Sequence, residues 1–276
     1  MDISIADLGF HQRLGHLLGA LNSEKFWPSL SGFLRNSVPF DSWVAMVFRT
    51  NMSPIVLYEG DSDMVEDALF ADYVCSLYLL DPFYSFSQQM EINGRMTPGL
   101  YRLDEVAPEH FRETDYYRRY FVHNVVSDEV QYLLNLPRFG RLSLSLGRRS
   151  RFTEEEIGAL ILYTPWMIPL MHHGALADGN GVLSLAASAV PENRQALLEE
   201  RLRESGSPHL TNREVEVALL LLAGHSTKGI ANKIGISPET IKAHRRNLYD
   251  KLGVSTHAGL FALFMAIDVP QVRNSR

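Results

Sequence analysis

The chain has 276 residues, 46% of them apolar and 21% charged, with a formal charge of −6 at pH 7. That is length and apolar content enough for two cores, and the single cysteine, Cys75, excludes an internal disulfide and fits a reducing cytoplasm. The charge is divided: residues 209–276 hold nine basic against five acidic side chains, a net +4, and the first 208 hold 17 against 27, a net −10. Such asymmetry assigns nucleic acid to the C-terminal part and another task to the rest.

No basic, apolar leader opens the sequence, so no secretory signal is predicted. The most apolar run, Ile157 to Met171, is interrupted by Pro165 and Pro169 and falls short of the roughly 18 residues a membrane span needs. There is no G-x-S-x-G elbow, P-loop or G-x-G-x-x-G fingerprint, and no motif calls for a metal or a cofactor. The expectation is a cytoplasmic, non-enzymatic protein.

In chain order, helical spacing runs through Leu14, Leu17, Leu18 and Leu21, then through Phe26, Leu30, Phe33 and Leu34 after Ser23-Glu24. Asp41 to Thr50 and Pro54 to Glu59 are rich in β-formers and predict a strand pair. Residues 66–80 have helical spacing and stop at Asp81-Pro82, because a residue before proline leaves the α region. A short helix over Phe83 to Met90 follows, and Tyr101 to Val106 reads as a short strand or turn. Phe111 to Val122 predicts an aromatic helix, and Val126 to Leu136 and Arg138 to Gly147 alternate as hairpin strands. Thr153 with Glu156 forms a capping box that opens a long apolar helix to about His173. Strands between flanking helices predict an α+β fold, an αβα sandwich, for residues 1–175. Residues 176–208 predict a linker carrying a helix over Pro191 to Glu204.

Residues 209–276 punctuate themselves into helices. Thr211 and Glu214 form a capping box, Gly224 suits a helix end, Ser226 an N-cap, Gly235 a second end and Ser237-Pro238 a third start. Two helices joined by a turn of about four residues form a helix-turn-helix, whose second member enters the major groove. On a wheel at about 100° per residue, that helix turns Ile241, Leu248 and Leu252 to one side and Lys242 and Arg246 to the other. Lys242 and Arg246 are therefore the candidates for reading guanine edges, and Thr227, Thr240, Arg245 and Lys251 for contacting phosphates.

The stretch LTNREVEVALLLLAGHSTKGIANKIGISPETIKAHRRNLYDKLGV, continuing through STHAGLFALFMA, resembles the C-terminal DNA-binding domain of LuxR-family transcriptional regulators. The matching positions include Arg213-Glu214, Val217, Gly224, Ile230-Ala231, Thr240, Lys242, His244, Asn247 and Lys251-Leu252. The resemblance implies an all-α, four-helix domain whose fourth helix, Ser255 to Ile267, often forms a dimer contact. Leu260, Phe261, Leu263 and Phe264 give that helix more apolar surface than a small domain needs, which predicts a homodimer on a pseudo-palindromic operator. RNA polymerase is a further partner such a regulator implies.

Upstream, Tyr73 followed by Asp81-Pro82 is similar to the Y…DP element of the autoinducer-binding domains of LuxR-family quorum sensing regulators. The resemblance implies that Asp81 accepts a hydrogen bond from the ligand amide. The tryptophan expected before Tyr73 is absent, and Met96-Thr97 lie where another is expected, so the reading is of a solo or orphan regulator. Trp43, Tyr58, Tyr73, Asp81, Tyr84 and Tyr101 are the ligand-binding candidates, and Tyr78, Tyr117, Tyr120, Tyr132, Asp104, Asp128 and Glu129 extend this aromatic and acidic set. Such a set suits an amide, a lactone or an amine. The alternative left open is a regulator whose N-terminal domain serves dimerisation or protein-partner binding without a small-molecule ligand.

Overall fold

The computed structural model describes residues 8–50, 52–60, 68–92, 97–124, 127–177, 181, 183 and 194–267. Its centre is a five-stranded antiparallel sheet in the order β2-β1-β5-β4-β3, formed by β1 (Ser42–Arg49), β2 (Met52–Glu59), β3 (Gly99–Arg102), β4 (Asp128–Leu136) and β5 (Gly140–Arg148). β4 and β5 are buried on both faces along most of their length.

One face is covered by α1 (Leu8–Gly19), α2 (Phe26–Arg35) and α7 (Glu154–Leu176). Thr153 caps α7, its side chain accepting the amide of Glu156 while Glu156 accepts that of Thr153. The helix continues past Pro165 and Pro169. Each proline removes an amide and crowds the preceding turn, but burial of Ile157, Leu160, Tyr163, Met167 and Met171 against the sheet offsets the loss. Gly174 is required here, because the Phe26 ring occupies the space a Cβ would fill.

The other face carries α3 (Ala68–Cys75), a 3₁₀ turn Leu77–Leu80, α4 (Pro82–Ile92), α5 (Leu103–Val106) and the segment Phe111–Asn124, which ends in α6 (Val122–Asn124). Two predicted helices are broken. The helix expected over 66–80 ends at Cys75 and tightens into the 3₁₀ turn. The helix expected over Phe111 to Val122 is a 3₁₀ turn, Phe111–Glu113, then a π turn, Tyr117–Phe121. Thr114 makes that break: its backbone is extended and its hydroxyl accepts the amide of Tyr117 at 3.0 Å, capping the second piece. Tyr101 to Val106 resolves into β3 and the one-turn α5. Val126, predicted as a strand start, lies outside the described residues.

The C-terminal part is all-α: α8 (Arg194–Glu204), α9 (Asn212–Leu222), α10 (Thr227–Ile234), α11 (Pro238–Leu252) and α12 (His257–Ala266). Its core of Val217, Ala218, Ile230, Ile241, Leu248, Leu260 and Phe264 is continuous with the cluster on the second face of the sheet. α8 packs on β2, and α9 on the turn 77–80. The excess apolar surface of α12, predicted to form a dimer contact, is used inside the chain: Leu260, Phe261 and Phe264 are buried, with the Arg119 guanidinium over the Phe261 ring. Among the described residues no helix is long and apolar enough to cross a membrane.

Candidate functional site

The helix-turn-helix is built by local chemistry. Ser226 caps α10 by accepting the amide of Gly229 at 3.0 Å, and Ser237 caps α11 by accepting that of Thr240 at 3.1 Å. Between them Gly235 adopts φ +70°, a left-handed turn that side chains resist, so the chain reverses within three residues. α11 buries Ile241, Leu248 and Leu252 and turns Lys242, Arg245, Arg246 and Asn247 to solvent. Arg245 lies over the Tyr249 ring at 5.3 Å, and Thr240 is exposed at the first turn beside Ser237. Thr227, at the start of α10, is half-buried.

Lys251 is a correction. Its ammonium lies 2.7 Å from the Glu214 carboxylate and 3.3 Å from the carbonyl of His209. Glu214 is buried within the Thr211 capping box. Burial raises its pKa, but Lys251 and Thr211 more than offset this and hold it below the ordinary carboxylate value. Lys251 thus ties α11 to α9 instead of reaching out to a phosphate.

The second cluster lies on the inner face of the sheet. In β4, Val130, Tyr132 and Leu134 face α7, which leaves Glu129, Gln131 and Leu133 on the opposite side. In β5 the same parity leaves Ser143 and Ser145 there. The pairing of Gln131 with Ser145 and of Leu133 with Ser143 assembles a buried polar chain. Ser143 Oγ donates to Gln131 Oε1 at 2.6 Å, Gln131 Nε2 donates to Glu129 Oε1 at 2.7 Å, and Ser145 Oγ donates to the same Glu129 oxygen.

Above this chain lie Asp81 and a stack of tyrosines. Tyr73 donates to Asp81 Oδ2 at 2.6 Å, and its hydroxyl is 3.8 Å from Met46 Sδ, on the strand next to Ser143. Asp81 Oδ1 accepts the amides of Phe83 and Tyr84 at 2.7 and 3.4 Å, so Asp81 also caps α4. Tyr120 stacks between Tyr73, at 5.3 Å, and Tyr116, at 5.4 Å. Burial pushes the Asp81 carboxyl up despite its three donors. Burial and then the nearby Asp81 charge push Glu129 up to about 8, and Ser145 and Gln131 offset only part of this. At neutral pH Glu129 is therefore a neutral acid. The Tyr116 hydroxyl is raised well above its ordinary value by burial and then by Asp81, with Tyr120 and Glu129 adding to it.

Residues 208–264 match the luxR family of bacterial regulatory proteins. An HTH-type transcriptional regulator from the exeN 3′ region of Aeromonas salmonicida is 30% identical over 192 residues, covering 67% of this chain and 93% of its own. This chain belongs to the LuxR family of transcriptional regulators. MctR of Rhizobium johnstonii matches a shorter stretch, 48% identical over 65 residues, 24% of this chain and 30% of its own. The crystal structure of the VqsR LBD domain from Pseudomonas aeruginosa is 40% identical with a TM-score of 0.54, covering 62% of this chain and 98% of that one. The LuxR-family chain therefore pairs an N-terminal region, an antiparallel sheet with flanking helices similar to the VqsR LBD domain, with a helical DNA-binding region.

The expected ligand residues fall into two groups. Tyr73, Asp81 and Tyr84 come together, Tyr84 packing edge-on against Tyr78 at 4.9 Å. Trp43 and Tyr58 do not join them. They stack on each other at 5.3 Å in the cluster on the α7 side of the sheet, because strand parity turns Trp43 with Ala45 and Val47 away from Met46. Tyr101 is half-buried at the sheet edge, its ring on Phe86 at 4.9 Å and its hydroxyl donating to the carbonyl of Thr97. Tyr132 faces α7, donating to the carbonyl of Leu160. Asp104 pairs with Arg112 at the surface, and Asp128 accepts the amides of Glu129 and Phe152. Gln131, Ser143, Ser145 and Tyr116 were not expected at the site. The signal for three of them was there: polar residues at alternate positions in two apolar strands.

Proposed function

We propose that residues 1–175 bind a small molecule, that 176–208 connect, and that 209–276 bind an operator under the control of that molecule. The observation that carries this reading is the buried polar chain facing Asp81 and the tyrosine stack. A core that served packing alone would be cheaper with apolar side chains there, since burying a carboxyl costs several kcal/mol unless it is well paired. Asp81 uses three donors on two oxygens and retains a lone pair for one more N–H. An amide, a lactone bearing an amide, or an amine would supply it.

On the DNA side, Lys242 and Arg246 would read base edges, with Thr227, Thr240 and Arg245 on phosphates. The homodimer would form on the face of α1 and α7, where Leu18, Ile161 and Leu162 are 47%, 56% and 60% exposed. Beside them Leu14, Leu18, Leu21, Trp166 and Leu170 line an apolar groove of about 430 Å³. That dimer would place two helix-turn-helix units on a pseudo-palindromic operator, in reach of RNA polymerase at a promoter.

The test is native mass spectrometry of the chain after incubation with a bacterial cell extract, on wild type and Asp81→Asn. Asn caps a helix nearly as well as Asp, so the variant should melt within a few degrees of wild type. Loss of the charge-assisted bond should weaken retention of the small molecule about tenfold or more. Equal retention by Asp81→Asn would remove Asp81 as the anchor.

A further inference from the structure

One segment, residues 108–121, touches both sites. Tyr116 and Tyr120 point from it into the stack over Asp81. From the same segment the amide of His110 donates to the carbonyl of Gly224 at 2.9 Å, and Asp115 lies 3.3 Å from His257 Nδ1, whose Nε2 is 3.0 Å from the carbonyl of Leu221. Gly224 holds φ +93°, and a Cβ there would lie 2.8 Å from the backbone of Phe111, so the approach needs glycine twice over. Phe111 is buried in the cluster shared with the helix-turn-helix. The segment carries a π turn, a conformation that recurs at functional sites.

Glu109 begins this contact. Its carboxylate accepts the amide of Ser226 at 3.4 Å, and a Cβ on Gly229 would lie 3.0 Å from both of its oxygens. It thus stands over the N-terminus of α10, the first helix of the helix-turn-helix. In such units the first helix crosses the DNA backbone, and free amides at a helix N-terminus hold phosphate oxygens. We infer that Glu109 occupies the place of a DNA phosphate, so that the docked arrangement excludes DNA from α10 and the segment 108–121 joins this lock to the buried site. The inference rests on the DNA-binding and ligand-binding reading above. A molecule that displaced Tyr116 or Tyr120 would act on Glu109 through the backbone of the same segment. The Glu109 carboxyl is held below its ordinary pKa by its own amide, with the amide and hydroxyl of Ser226 adding to this, so it stays charged at neutral pH. It is also solvent-exposed, which limits the effect to a moderate one.

The experiment uses the full chain without added ligand and a 30-base-pair duplex of arbitrary sequence, followed by fluorescence anisotropy at low salt. Glu109→Ala is expected to bind about fivefold more tightly than wild type, the lower end of typical coupling between sites. Glu113→Ala, which removes an equal charge from the same segment at a side chain 71% exposed, should stay within about twofold of wild type. If both variants bind the duplex and gain equally, or neither gains, the phosphate-mimic inference is overturned while DNA binding stands. If neither they nor the wild type bind, the DNA-binding reading fails and takes the inference with it.

Discussion

Glu129→Gln is expected to raise the melting temperature at pH 8.5 by about 5–10 °C while leaving it nearly unchanged at pH 5. In the folded chain Glu129 keeps its proton to about pH 8, whereas unfolded it releases it near the ordinary value of 4.5. A carboxyl whose folded pKa is raised binds a proton that the unfolded chain has lost. Stability is therefore full below about pH 4.5 and falls as pH rises through 8, by up to roughly 1.4 kcal/mol per unit. Asp81, raised by burial, acts in the same direction. Glutamine has the shape of the protonated acid, keeps Oε1 for Ser145 and Gln131, and never ionises. The difference between the two melting curves should open across this window. Parallel pH profiles would show that Glu129 is ionised in the fold, contrary to the site described.

Arg246→Ala should weaken operator binding by roughly 1–3 kcal/mol, between about fivefold and 150-fold, and flatten preference at one base pair of each half-site. Lys242→Ala, one turn away on the same exposed face, should do the same at a neighbouring pair. Both side chains are exposed and bind nothing in the core, so the fold should melt as before. Arg245→Ala, on the flank over Tyr249, should instead weaken operator and random DNA alike and reduce the salt slope by about one. An unchanged operator-to-random ratio in Arg246→Ala would mean that another face of α11 reads the bases.

The DNA-binding half was legible because its signals are local. The caps at Thr211, Ser226 and Ser237, the glycine at 235 and the apolar period of α11 act within a few residues, and each is present in the structure. What escaped there was long-range. Lys251 looks free until α11 is packed on α9 and meets Glu214, 37 residues away. The apolar surplus on α12 was rightly seen, but a sequence does not say whether a second copy or the same chain covers it. Here the chain itself does, with α9 packed on α12 and the Arg119 guanidinium over the Phe261 ring.

The buried site around Asp81 was half-legible. Asp81 and Tyr73 are eight residues apart and meet across one helix end, so their pairing is close to local. Trp43 was misplaced because most of β1 is buried on both faces, so alternation gives no sign of which side is which, and Tyr58 goes with it because β2 pairs Tyr58 with Ala45 on the α7 side. Glu129 and Ser145 are joined only by strand register, which brings residues 16 apart together in the middle of a core. Register is a tertiary fact, and periodicity alone does not supply it.

Occupancy of the Asp81–Glu129 site is expected to set DNA affinity. It is tested most directly on the full chain with a duplex selected from a random pool by protein loaded with its retained small molecule. Affinity for that duplex is then measured with the molecule bound and after it has been stripped. A difference of about tenfold or more is expected, lost in Asp81→Asn. Equal affinity in the loaded and stripped protein would contradict it, because a ligand that leaves both states equally able to bind DNA controls nothing.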